Sequence, residues 1–101
     1  MTAFRIEPAG DGRLAASGEL DFATAAAALQ AGLGLIGTGR AMAVDLAGIT
    51  SGDSAGLAVL VEWMSAVRAS GGSVRYEAVP AQILAIARIS DLDELLLAQG
   101  A

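Results

Sequence analysis

Few residues in this chain are of a type that does chemistry. It has no His and no Cys, and all six of its basic residues are Arg. Thiol catalysis, imidazole bases, disulfides and Cys/His zinc sites are therefore off the table. Carboxylates and hydroxyls remain. Glu19 and Asp21 form one close pair, and Asp91, Asp93 and Glu94 form a second group. Paired carboxylates can divide acid and base roles. Here each group stands where a helix start is expected, and the positive end of a helix dipole accounts for acids there. No His, Cys, Lys or nucleophile elbow accompanies them. Gly10-Asp11-Gly12 and Gly32-x-Gly34 lack the strand-to-helix context and the Lys-Ser/Thr of a phosphate loop, so they read as turns. The sequence predicts no enzyme, no cofactor and no metal site.

One stretch stands apart. Val44-Asp45-Leu46-Ala47-Gly48-Ile49-Thr50-Ser51-Gly52-Asp53-Ser54-Ala55-Gly56-Leu57 reads as a strand, a short loop and a helix opening on Asp53-Ser54. Asp53 is expected to cap that helix. Ser54 then presents a hydroxyl at the positive helix end, exposed for contact. A phosphate there is favoured by the dipole and adds about −1.5 to −2 charges beside Asp53, enough to repel a bound partner. Ser54 is thus read either as a contact residue or as a phosphorylation switch.

The elements that position this site follow from local signals. Phe4-Arg5-Ile6-Glu7 alternates as a short strand, Asp11-Gly12 marks a hairpin turn, and residues 13–18 return. A first helix is expected over about Phe22–Leu33, capped by Asp21 and ended by Gly32, Gly34, Gly37 and Gly39. Met42–Leu46 reads as a central strand buried on both faces. The second helix runs over about Ser54–Ala69 and stops at Gly71-Gly72. Residues 73–78 form the next strand. Pro80 opens a third helix through about Ile89. Ser90-x-x-Asp93 resembles a capping box for a last helix over about Leu92–Leu97.

On a wheel of 100° per residue, Leu57, Leu60, Val61 and Met64 make one apolar stripe of the second helix, with Val67 beside it. Ala55, Val59, Trp63 and Ala66 make another. A helix apolar on two sides has either two packed neighbours or an exposed binding face. Trp63 either packs on the third helix or anchors a partner. The candidate partner-binding residues are Ser51, Gly52, Asp53, Ser54, Ala55, Val59 and Trp63.

Composition bounds the rest. At 101 residues, 54% hydrophobic and 17% charged, the chain reads as a single globular domain over 1–101. With a net charge of −5 and scattered arginines, it has no basic stripe for nucleic acid. Charge in the first residues argues against a signal peptide. No apolar run of about 18 residues is present to span a bilayer. A cytoplasmic protein is expected, reaching a membrane only through a partner.

Gly18-Glu19-Leu20-Asp21 before the first helix, and Val44-Asp45-Leu46 with Asp53-Ser54-Ala55-Gly56-Leu57 before the second, resemble the STAS domain. That fold is shared by anti-sigma factor antagonists and the cytoplasmic tails of sulfate transporters. The resemblance implies an α/β fold, a small mixed sheet of about four strands packed against about four helices. Within the family the chain looks most like the MlaB type, in Gly56–Trp63, in Pro80–Arg88, in Asp91–Leu96, and in ending soon afterwards. The resemblance implies a non-catalytic subunit that binds the cytoplasmic ATPase of an ABC transporter, within a complex with a permease. Such a complex moves phospholipid between the two membranes and maintains outer-membrane lipid asymmetry. The chain would then sit peripherally at the inner face of the inner membrane. The MlaB type commonly has Asp-Thr-Gly-Gly where this chain has Asp53-Ser54-Ala55. Ser is usual in phosphorylated antagonists, so the alternative is an anti-sigma factor antagonist switched at Ser54 by an anti-sigma factor kinase.

Overall fold

The computed structural model describes residues 3–36 and 40–97. Eight elements follow one another: β1 Arg5–Pro8, β2 Arg13–Leu20, α1 Ala25–Ile36, β3 Ala41–Gly52, α2 Ser54–Ala69, β4 Ser73–Glu77, α3 Ala81–Ile89 and α4 Asp93–Leu97. They build a mixed α/β fold on a four-stranded sheet of order β1-β2-β3-β4. The hairpin β1–β2 is antiparallel, closed by Ala9 N–H to Arg13 O at 2.9 Å and turning at Gly12, whose φ of +70° suits glycine. The pairs β2–β3 and β3–β4 are parallel, each bridged by a helix. The expected element order holds throughout. No helix of the described residues is long and apolar enough to cross a membrane.

The central strand departs from expectation in two ways. It runs twelve residues, Ala41–Gly52, rather than stopping at Leu46. Two irregularities opposite β2, at Ala15/Ser17 and Gly18/Glu19, absorb the extra residues. Such bulges break the two-residue alternation that marks a strand in sequence. The strand's second face is also only partly buried, Ala43 covered but Asp45 half-exposed. Val44 and Leu46 point inward with Leu14, Ala16, Val74 and Tyr76, all buried. Asp45 sits in register with Ala15 and Glu77 on the opposite face.

α1 begins at Ala25 and continues to Ile36. Asp21 organises the turn before it rather than its first residue: its Oδ1 accepts the N–H groups of Ala23 and Thr24 at 3.0 and 3.2 Å. Thr24 Oγ1 accepts the Asp21 N–H and donates to Glu19 O, which fixes the turn against the end of β2. Gly32 and Gly34 lie inside the helix instead of ending it, and Gly37 and Gly39 lie outside the described residues. Ser90 closes α3 rather than opening α4, its N–H bonding Ile86 O at 3.1 Å.

The core lies between the sheet and the helices. Leu20, Val44, Leu46, Leu60, Trp63, Val67 and Ile83 are among its large buried members, with Ile36 and Leu96. The Tyr76 hydroxyl donates to Leu60 O across this layer, and its burial pushes the phenol's ionisation far upward.

Candidate partner-binding site

The carboxylate of Asp53 builds the site. With φ −143° and ψ −166° it stands just outside α2, and Oδ1 accepts the N–H groups of Ala55 and Gly56 at 2.9 and 3.1 Å. Its other oxygen accepts the Phe22 N–H at 3.0 Å, so one side chain ties the β2–α1 turn to the start of α2. Desolvation works to raise this carboxyl's pKa, but the N–H groups of Phe22, Gly56 and Ala55 outweigh it and hold the pKa below the usual value. The capping expected of Asp53 is present.

Two glycines let the chain pass close. A Cβ on Gly56 would stand 2.1 Å from Leu20 O, so the first turn of α2 rides directly on the end of β2. A Cβ on Gly52 would stand 2.6 Å from the Ile83 side chain. The Gly52 N–H donates to Gln82 Oε1 at 3.1 Å, which draws the start of α3 to the same loop. Ser51 is half-buried, its hydroxyl 3.5 Å from Glu19 Oε2. Ser54 is exposed, and its hydroxyl makes no hydrogen bond among the described residues.

The structure therefore brings Ser51, Gly52, Asp53, Ser54 and Ala55 together at one end of the sheet. It separates Trp63 from them, and sets Val59 below the surface beside Ala55. Val59 is 4% exposed and Trp63 0%. Trp63 is removed from the surface a partner can reach, while Val59, though nearly covered, lines the floor of a groove beside Ala55. Trp63 does not pack on the third helix either. Its indole N–H donates to Leu29 O of α1 at 3.3 Å. Its ring fills the space a Cβ on Gly32 would need, 2.1 Å from indole Cε2, and lies tilted against Phe4 with centroids 6.1 Å apart. A helix with two apolar sides has here found two neighbours, α1 and the sheet.

What α2 leaves exposed is a narrow ridge, Ser54, Ala58, Glu62 and Ser65, running on to Arg68 and Ala69 at the end of the helix. The steps of four and three keep these residues on one face of the helix. A shallow apolar groove flanks it on each side. Toward α3 the groove holds about 330 Å³ between Leu57, Val61, Ile86 and Leu92. Toward α1 it holds about 440 Å³ above Ala25, Ala26, Leu29 and Ala58, with Phe22 and Glu62 at its borders. Phe22 is 85% exposed. Sequence reasoning missed Phe22 and Glu62. The available signals were an aromatic placed in a turn before a helix that opens on four alanines, and the one charged residue of α2 ahead of Arg68.

Among the described residues no group of three or more acidic, His or Cys side chains could hold a metal ion. The arrangement offers an unpartnered hydroxyl, apolar relief and acidic borders, which suits recognition. A family model described as Mlab, STAS domain, matches residues 4–98. The chain belongs to the MlaB-type STAS domain family.

Solved structures agree on the STAS fold. The anti-sigma factor antagonist SpoIIAA in its unphosphorylated form superposes with a TM-score of 0.64 at 16% identity, over 89% of this chain and 83% of that one. A protein named Mglu gives 0.58 at 25% identity over 76% of this chain. The murine anion transporter Slc26a9, inward-facing, gives 0.59 at 21% over 79% of this chain. This chain spans only 20% of Mglu and 14% of Slc26a9. No curated protein sequence matches this STAS chain.

Proposed function

We propose that this STAS domain is a non-catalytic accessory subunit of a Mla-type ABC transporter. It binds the cytoplasmic ATPase subunit in the complex with its permease, at the inner face of the inner membrane. Through that contact it supports assembly and activity in phospholipid transport between the membranes, and so outer-membrane lipid asymmetry. Membership of the MlaB-type family supports the reading. The observation that carries it is the free Ser54 hydroxyl heading an exposed ridge between two apolar grooves. Ser54, Ala58 and Glu62 meet the ATPase in this reading, with Ser51, Gly52, Asp53 and Ala55 shaping the loop beneath.

Tagged protein purified from gently solubilised membranes should bring an ABC ATPase and its permease. Ser54→Glu should weaken binding to that purified ATPase by roughly tenfold or more, because a longer side chain adds bulk at the ridge head. It should leave the fold intact, since Ser54 is exposed and makes no hydrogen bond within the chain. Undiminished affinity would falsify the assigned surface.

A second reading stands on the same hydroxyl. An exposed Ser at a helix N-terminus is open to a kinase, and its phosphate gains from the dipole. A soluble kinase partner, ATP-dependent addition of one phosphate, and its loss in Ser54→Ala would favour an anti-sigma factor antagonist. Absence of any phosphate after incubation with the co-purified partner and ATP would count against it.

A further inference from the structure

The groove between α1 and α2 narrows what the partner must look like, granted the transporter reading above. Its floor is alanine from both helices, Ala25 and Ala26 facing Ala58. Small side chains let a third helix lie close along the line where two helices already meet, ridge into groove. One wall is Phe22, an exposed ring whose backbone N–H is anchored on Asp53. Aromatic side chains so placed are frequent anchors of binding energy.

The opposite wall is Glu62, the one charged residue that lines this groove. It also borders the groove toward α3. It makes no ion pair among the described residues. Arg68, the next charged residue of α2, is six positions on, outside the i+3 and i+4 spacing that would neutralise it. Glu62 also lies two turns into the helix, beyond the reach of the positive dipole end. Asp53 and Glu19 add negative charge at the ridge head, and no arginine lines either groove.

We infer that the partner element seated in this groove is a cationic amphipathic helix. Its apolar side chains lie against Phe22, Leu29 and the alanine floor, and an Arg or Lys on its flank reaches Glu62. The ridge repels anionic surfaces, so the same carboxylate that attracts this partner rejects acidic ones.

The experiment measures the affinity of the full chain for the ATPase subunit with which it co-purifies, at low and at high NaCl. Affinity should fall as salt rises. Glu62→Lys should weaken binding roughly tenfold or more at low salt, and Glu62→Gln by less. Asp11→Lys makes the same change of charge at the far end of the strands and should leave affinity unchanged. Phe22→Ala should weaken binding roughly tenfold at either salt concentration. A photoreactive benzoylphenylalanine in place of Phe22 should label an ATPase segment with Arg or Lys at helical spacing. Unchanged or tighter binding by Glu62→Lys, equal damage by Asp11→Lys, or labelling of an acidic segment overturns the inference and leaves the transporter reading standing. A wild-type chain that binds no ATPase overturns that reading itself.

Discussion

At the amino-terminal end of the parallel strands, Arg13, Arg40 and Arg75 ring a hollow of about 500 Å³. Each is already engaged. Arg40 pairs with Asp11 at 3.0 Å, Arg75 with Glu77 at 3.0 Å, and Arg13 with Glu77 through both guanidinium nitrogens. An anion arriving there competes with carboxylates the chain supplies itself. At the other end, Ser54 and Glu62 have no partner among the described residues, and apolar grooves run beside them. Exposed ion pairs contribute little to stability, so this difference does not decide folding. It decides availability: one end is closed electrostatically, and the other is left open to a second protein. The carboxylate of Asp53 marks the boundary, since it is fully used in holding the open end in shape.

The comparison breaks most visibly if the floor beneath the open end is not core. Trp63→Ala should destabilise the chain by about 3–5 kcal/mol, the usual result of emptying a buried aromatic site. Chemical denaturation of wild type and variant measures it. A contact residue would behave in the opposite way, with stability intact and ATPase affinity lost, and that pattern would return Trp63 to the surface.

A smaller effect is expected at the boundary. Asp53→Ala removes the cap of α2 and should cost about 1 kcal/mol. The Phe22 N–H also loses its acceptor. Amide hydrogen exchange should therefore rise at Phe22 together with Ala55 and Gly56. Faster exchange at α2 alone would show that the β2–α1 turn holds Phe22 without help, and the two halves of the groove would then be independent.

Most of the fold was legible because strand and helix alternate with clear stops, such as Asp11-Gly12 and Gly71-Gly72. The β3–α2 junction at 51–55 was legible because capping chemistry is local. The rest depended on neighbours. Gly32 looks like a helix end, and only the indole resting on it explains a glycine inside α1. Trp63 looks like surface or core on a wheel, and the position of α1 settles which. The length of β3 was hidden by bulges that erase alternation. Its open face was hidden because Met42–Leu46 reads apolar until Asp45 is seen beside Glu77 in register. Phe22 belongs to no periodic pattern, so its exposure is visible only in three dimensions.

The smallest effect concerns the closed end and tests whether its charges are truly committed to one another. Glu77 accepts from Arg13 and from Arg75, and these bonds outweigh desolvation and lower its carboxyl from 4.5 to about 2. Its contribution is therefore present in full above pH 4.5, where the unfolded carboxyl is ionised, and is lost as pH falls toward 2. Urea midpoints measured from neutral pH to pH 2 should fall across that window in wild type. They should fall less steeply in Glu77→Gln, which has no proton to take up at this site. Solvent screening keeps the difference modest at an exposed pair, and added NaCl should shrink it further. Equal slopes in the two proteins would mean that Glu77 is not committed to its arginines, and that Arg13 and Arg75 are open to an outside anion after all.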